Sequence, residues 1–302
     1  MSFTSFANTD IVNQTSKVVT STWTNNTNEL TGVFTSSAQA QLGSPTSSGA
    51  HFIDVHLDAT TSSVQYSIAY GHKAGSGSKD FTNAVGSLGR SPSRNIYSQY
   101  RQLVFGTETQ NFNFTDFTPD DIYVININRA RYKHNLKPGS LNLKISGSGT
   151  GTGAANAGIL KLTDDSITAT GSSVVTNAGR QFNIVSGSSG VRATTSTGDV
   201  TNSGSYGFFY PDAGFIILNP QAIGHRINAV KPAVGANTAA NNHQKLADVI
   251  KGGASFICDS EEKLTSTYYF ARARNFEFNY TTNPSFTDDS GNVLINSMID
   301  NP

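Results

Sequence analysis

The stretch from Ser91 to Ile145 constrains the fold of this chain more than any other. It opens with SPSRNIYSQYRQLVFG. Ser91 suits a helix N-cap, and Pro92 suits the first helical position, where a missing N–H costs nothing. Ile96, Tyr100, Leu103 and Val104 follow at i, i+4, i+7 and i+8, one face of a helical period, and Gly106 stands where a left-handed C-terminal residue belongs. The stretch ends in IYVININRARYKHNLKPGSLNLKI. Ile122 to Ile127 is a nearly continuous apolar run, while Leu141, Leu143 and Ile145 alternate with Asn142 and Lys144, so two strands are predicted. Between them lies a basic connection holding Arg129, Arg131, Lys133, His134 and Lys137, closed by the turn signal Lys137-Pro138-Gly139.

The flanks read the same way. KVVTSTW (Lys17 to Trp23) and ELTGVFT (Glu29 to Thr35) predict a hairpin across Asn25–Asn28. Phe52 to Leu57 and Val64 to Tyr70 alternate and predict an antiparallel pair, so the first ~70 residues read as a small sheet with one wet face. A short helix is expected at Asp80 to Leu88. Ser146 to Gly158 is a Gly/Ser/Thr loop, expected to be flexible. Ile159–Thr163, Ser173–Thr176 and Gln181–Val185 predict short strands, with a turn at Asn177-Ala178-Gly179, and Ser186 to Ser203 reads as an exposed loop. YGFFY, PDAG and FIIL (Tyr206 to Leu218) form a strong hairpin signal. Asn242 can cap a helix over His243 to Lys251, stopped by Gly252-Gly253. Glu261-Glu262-Lys263 reads as a solvated turn, and Thr267 to Tyr280 as the longest strand. The fold class is therefore mainly β: antiparallel sheets, sandwich-like, with two or three short peripheral helices.

Composition narrows the function. Charged residues make up 14% of the chain and the formal net charge is zero, against ~25% charged residues in an average soluble domain. Phosphate neutralisation needs a basic surplus, so nucleic acid is not an expected partner. A single cysteine, Cys258, excludes an intrachain disulfide and a Cys-rich metal site, and SFICDS suits it to a small buried apolar role. No run reaches the ~20 apolar residues of a membrane span. MSFTSFANTD lacks the basic start and apolar core of a secretory signal, so a place outside a cell would be reached by assembly rather than export.

Catalytic and cofactor motifs are missing. None of the six histidines forms HxxxH or HExxH, and there is no GxSxG elbow. GSGTGTG matches a dinucleotide loop only loosely and has no following Lys-Ser/Thr or ribose-binding acid. Asp54, His56 and Asp58 share a strand face, which suits a polar solvent face better than a metal site. Asp120-Asp121, Asp164-Asp165 and Asp288-Asp289 sit in turn contexts, where adjacent side chains diverge. No enzyme activity, metal or cofactor is expected. The Arg-x-Arg pairs Arg129/Arg131 and Arg272/Arg274 remain. In strand geometry each pair shares a face, beside Tyr and Phe. That suits a protein interface or, equally, a solvated face paired with carboxylates across strands. RNA is disfavoured because no RNP-like motif accompanies them.

SPSRNIYSQYRQLVFG, DDIYVININRARYKHNLKPGSLNLKI, SGSYGFFYPDAGFIILNP and NFEFNYTTNPSFTDDSGNVLINSMIDNP together resemble a family of virion structural proteins of T4-like tailed phages, notably cyanophages. The resemblance runs from Ser91 to Pro302. It implies a structural component of the contractile tail, at the baseplate, with a neck or tail-connector position as the alternative. It implies multi-copy symmetric assembly with other virion proteins, made in the host cytoplasm and located in the virion, and a natural chain that continues past Pro302. Residues 1–90 then form an N-terminal β-rich region and residues 91–302 an assembly domain interrupted by the loop at 146–158. Arg129, Arg131, Lys133, Lys137, Arg272 and Arg274 are the candidate subunit-interface residues. A separate reading is a host-surface carbohydrate adhesin, with YGFFY and TYYFARARNFEFNY as stacking faces.

Overall fold

The structure is a computed structural model that describes residues 6–32, 34–35, 52–57, 63–78, 91–114, 117–147, 158–167, 174–193, 206–227, 230, 232 and 241–271. The chain forms two compact units, residues 17–262 and residues 1–16 with 263–302. The boundary expected at residue 90 thus falls inside one unit. Mainly β structure is observed, in antiparallel sheets with three helices among the described residues.

The larger unit contains β2 (Glu29–Leu30), β3 (Phe34–Thr35), β4 (Phe52–His56), β5 (Val64–His72), α1 (Pro92–Phe105), β6 (Asp121–Ile127), β7 (Asn135–Leu136), β8 (Asn142–Gly147), β9 (Gly158–Asp164), β10 (Val174–Thr176) and β11 (Gly179–Ser188). It continues with β12 (Val191–Arg192), β13 (Gly207–Tyr210), β14 (Phe215–Leu218), α2 (Pro220–Ile227), α3 (Asn242–Gly253) and β15 (Phe256–Ile257). One sheet runs β2-β15-β8-β9-β11-β13-β14-β6-β5-β4-β3, with β10 and β12 hanging from β11. β5 and β6 hold register from Tyr66↔Ile127 to His72↔Asp121.

The apolar run of β6 is explained by burial on both faces. Tyr123, Ile125 and Ile127 face one core with Tyr66, Ile68, Leu143, Ile216 and the helical residues Ala222, Leu246 and Ile250. Ile122 and Val124 face a second core with Tyr97, Val104, Phe208, Tyr210, Phe215 and Ile217. Helices α2 and α3 therefore lie against one face of the sheet and α1 against the other. YGFFY and FIIL are interior for the same reason, and the predicted hairpin between them is present.

The sheet curls on itself. Along the strand order, β15 and β5 are separated by β8, β9, β11, β13, β14 and β6. In a flat sheet that would place them roughly 34 Å apart. Yet the Phe256 ring lies 5.2 Å from the Tyr66 ring and 4.9 Å from that of Trp23. Helix α3 spans the same gap, packing on β8, β5 and β4. It comes unusually close to β8, since a Cβ on Gly253 would stand 2.0 Å from the Lys144 carbonyl oxygen. This explains why Gly252 and Gly253 lie inside the helix rather than after it. The helix ends instead at Ala254, left-handed at φ 47°, and its N-cap is Asn241, not Asn242.

Helix α1 starts at Pro92 and ends at a left-handed Gly106, as its sequence predicts. The Ser91 hydroxyl turns to the Gly75 carbonyl rather than to the helix. The buried face also differs: Tyr97 and Val104 are enclosed while Leu103 is 44% exposed. Gly71 is the cause, because a Cβ there would meet the Tyr97 backbone nitrogen at 2.9 Å, so the close approach of α1 to β5 centres on Tyr97. The helix α2 has no counterpart in the sequence reading. Asn219 Oδ1 accepts from the Gln221 and Ala222 N–H groups at 3.0 and 3.3 Å, and Pro220 takes the first turn. That is an N-cap followed by proline, a signal present in the sequence.

The hairpin predicted across Asn25–Asn28 does not form. β1 (Ile11–Ser21) pairs with β16 (Asp259–Tyr269), and β2 pairs with β15. Asn25 and Asn26 take φ of 61° and 55°, and the Trp23 indole is buried, donating to the Phe256 carbonyl at 2.8 Å. Burying Trp23 outweighs the local turn. The predicted solvated turn at Glu261–Lys263 is strand β16, in which Ser260 and Glu261 are buried. The loop predicted from Ser186 continues as β11 and turns back through β12. The helix expected at Asp80–Leu88 and residues 148–157 of the glycine-rich loop lie outside the described residues.

Truncating the ring that closes the curl should be costly. Phe256→Ala is expected to lower unfolding free energy by about 3–5 kcal/mol in denaturant titration. Val175→Ala, at a 77% exposed position, should stay within ~0.5 kcal/mol. A Phe256→Ala loss no larger than that of Val175→Ala would show that the curl is held elsewhere.

Candidate interaction surface

The basic connection from Arg129 to Lys137 is built on a 3-10 turn, Arg129–Arg131, capped by Asn128 Oδ1, which accepts from the Ala130 N–H at 3.0 Å. The two arginines are thus not on a strand and do not share a face. Arg129 folds back over Tyr132, its guanidinium 4.6 Å from the ring centroid, and donates to the Tyr132 carbonyl at 2.6 Å. Tyr132 is buried and its hydroxyl donates to the Ala213 carbonyl at 3.1 Å, which docks the connection onto the β13–β14 turn. Arg131 reaches the other way, donating to Thr24 Oγ1 at 2.5 Å. Thr24 is itself held by the buried Gln65, whose Nε2 donates to Thr24 Oγ1 at 2.7 Å and whose Oε1 accepts from the Thr24 N–H at 3.0 Å. Arg131 is therefore a tie between distant parts of the larger unit.

The lysines divide similarly. Lys133 is exposed, and its backbone N–H donates to Ser260 Oγ at 2.9 Å. Lys137 is half-buried, with its N–H on the Asp259 carbonyl at 2.7 Å. Burial raises the Asp259 carboxyl above its ordinary range, and the Lys137 charge opposes that shift. Of the six candidate interface residues, Arg129 and Lys133 present exposed cationic side chains. Arg272 and Arg274 lie outside the described residues. On the adjoining turn, Arg180 clamps Asp212 through Nη2–Oδ1 at 2.6 Å and Nε–Oδ2 at 3.1 Å, a forked pair that fixes the β13–β14 hairpin.

The smaller unit, as far as it is described, is a ribbon. Asn13 Oδ1 accepts from Thr267 Oγ1 at 2.7 Å and Thr15 meets Thr265 at 3.3 Å, so residues 11–16 run antiparallel to residues 263–269. Val12, Leu264, Tyr268, Tyr269 and Phe270 are between 44% and 62% exposed. In the larger unit the same two strands continue, with Val18 and Val19 exposed and Lys17 paired with Glu261 at 3.1 Å. Sequence reasoning placed the strand signal here correctly in Thr267–Tyr269 but missed β1 upstream of Lys17, because IVNQTS has no alternation.

The remaining candidates resolve into structural roles. Asp54 Oδ1 accepts from Ser67 Oγ at 2.5 Å, and Asp58 lies outside the described residues. Asp164 Oδ2 accepts from the Gly139 N–H at 2.7 Å in a turn, and Asp165 Oδ1 from the Asn183 N–H at 2.9 Å in strand β11, so both carboxylates satisfy backbone N–H groups. Cys258 is buried, as expected, and burial drives its thiol upward. Tyr206, Phe208, Phe209 and Tyr210 are buried, so YGFFY offers no face for stacking a ligand. Among the described residues no group of three or more His, Cys, Asp and Glu could hold a metal, and no helix is long and apolar enough to cross a membrane.

Asp121 begins β6 and is buried beside Tyr70, whose hydroxyl donates to Oδ2 at 3.2 Å. Burial pushes its carboxyl up to about 6, against the opposing effect of that hydrogen bond. No protein-family model, curated protein or solved structure matches the chain.

These contacts set two expectations. Arg131→Ala should lower unfolding free energy by about 1–2 kcal/mol, and Lys133→Ala by less than ~0.5 kcal/mol, in paired denaturant titrations. The raised Asp121 carboxyl favours the folded state only while it is protonated. Its contribution is complete below the unfolded value near 4 and is lost as pH rises through about 6. Asp121→Asn should therefore flatten the stability profile between pH 4 and 6 and raise stability at neutral pH by about 2 kcal/mol. A variant profile parallel to the parent's would remove the assignment.

Proposed function

We propose that this protein is a structural component of a tailed-phage virion, assembling in multiple copies in the contractile tail at the baseplate. The observation that carries the reading is the β1–β16 ribbon. In the smaller unit it exposes Val12, Leu264, Tyr268, Tyr269 and Phe270. A two-stranded ribbon has no core of its own and gains stability when a neighbour covers its apolar side chains. Aromatic and aliphatic residues on a weakly charged surface are what the centre of a subunit interface requires. On the larger unit, Arg129, with its guanidinium already held over Tyr132, is a pre-organised cation that suits a contact of its own. The resemblance of the stretch from Ser91 to Pro302 to virion structural proteins supports this reading, and zero net charge suits repeated copies packed side by side.

The test uses a phage that carries the gene. An epitope tag followed by immunogold labelling should mark the distal end of the tail. Label confined to the head, or absent from purified particles, would overturn the placement. Val12→Ser with Tyr268→Ser should reduce incorporation at least about tenfold while shifting the melting temperature of the free protein by less than ~2 °C. Unchanged incorporation would remove the ribbon from the interface.

A further inference from the structure

The outer face of the sheet carries a groove of about 400 Å³ between α1 and the strands β4, β5 and β6. This lies within the ~300–1,000 Å³ range of small-molecule sites. Its origin is legible in the register. On β5 the inward positions are Tyr66, Ile68 and Tyr70, and the outward ones between them are Ser67 and Ala69. These small side chains leave space under the helix. Across the ladders, Phe52 stands opposite Ala69 and Asn126 opposite Ser67. The wall is α1, which presents Asn95 and Gln99, four residues apart, together with Tyr100.

The chemistry of the lining is specific. Phe52, 45% exposed, and Tyr100 supply aromatic surface, and Asn95, Gln99 and Asn126 supply solvent-exposed amides. Among the described residues, no Asp, Glu, Lys, Arg or His lines the groove. Asp54 neighbours it but accepts the Ser67 hydroxyl hydrogen at 2.5 Å and is not part of the lining. This uncharged lining does not favour a phosphate, a nucleotide or an acidic peptide, which call for cationic partners. Primary amides offer a donor pair and an acceptor on one planar head, which matches the mixed donor–acceptor character of adjacent sugar hydroxyls. The electron-rich face of an aromatic ring attracts the weakly positive C–H bonds on the flat side of a pyranose.

We propose that this groove binds an uncharged carbohydrate of one or two pyranose rings, stacked on Phe52 and hydrogen-bonded by Asn95, Gln99 and Asn126. The site is separate from the β1–β16 ribbon and does not depend on assembly into a particle. It also differs from the stacking face expected at YGFFY, which is interior.

The full chain is tested by saturation-transfer NMR and calorimetry against lactose, maltose, cellobiose and chitobiose, with sialylated lactose as the charged control. At least one uncharged disaccharide should bind, and more tightly than the sialylated sugar. Phe52→Ala and the double variant Asn95→Ala/Gln99→Ala should each weaken that binding by about fivefold to tenfold or more. Their melting temperatures should stay near the parent's, since these three side chains are exposed. The inference is overturned if none of the four sugars binds, if the sialylated sugar binds best, or if both variants bind as the parent does. A protein that binds sugar yet never enters a particle would leave this site standing and remove the virion reading, and the reverse result would do the opposite.

Discussion

The contact among Trp23, Tyr66 and Phe256 sets the shape on which the rest of the larger unit depends. It joins strands far apart in the order of the sheet, with the Phe256 ring edge-on to both partners. Edge-on aromatic geometry adds directional attraction to the apolar area that these rings remove from water. With β15 and β5 brought together, one face of the sheet becomes a pocket that α2 and α3 fill, with Ala222, Ile223, Leu246 and Ile250 in the same core as the strands. The other face remains open to α1 and the second core around Tyr97 and Phe112. The central strands β13 and β14, and β6 except at Asn126, are buried on both faces, which is why they are apolar at nearly every position.

Charge is sparse in this chain, and several charged groups tie parts of the larger unit together. Arg131 ties the 3-10 turn to Thr24 and Gln65, and Arg180 clamps Asp212 on the hairpin turn. Asp164 and Asp165 cap backbone N–H groups. Such bonds suit positions where a lost partner would strand a buried polar group. The surface is correspondingly poor in charge and rich in hydroxyl, amide and apolar groups. That balance is consistent with both surfaces singled out above: a ribbon with exposed Tyr268 and Tyr269, and a groove walled by amides.

Legibility in the sequence followed the range of the interaction involved. The proline start and glycine end of α1, the β4–β5 pair, the Asn177–Gly179 turn and the β13–β14 hairpin each rest on contacts between near neighbours, and each is present, whereas the Ser91 side chain does not cap the helix. The α2 cap at Asn219-Pro220 was equally local and was passed over. The hairpin across Asn25–Asn28 failed because Trp23 gains more by burial against Phe256, over two hundred residues away in sequence, than β1 gains by pairing with β2. Of the candidate interface residues, the Arg129/Arg131 pair expected on a strand lies in a 3-10 turn. Arg129 and Arg131 therefore diverge, one to a ring and one to the Thr24 hydroxyl. The groove could not be read at all from spacing, because its lining comes from β4, β5, β6 and α1.

By itself the sequence determined the mainly β class and those elements that rest on near neighbours, such as the ends of α1, the Asn177–Gly179 turn and the β13–β14 hairpin, since periodicity and short-range hydrogen bonding act within a few residues. It also determined the low charge. The tertiary structure alone decided which strands are neighbours, which side of α1 is buried, and that Glu261 belongs to a strand rather than a solvated turn. Those outcomes depend on apolar surface buried between residues remote in the chain, and that burial is large enough to override a turn signal or a helical stripe wherever the two conflict.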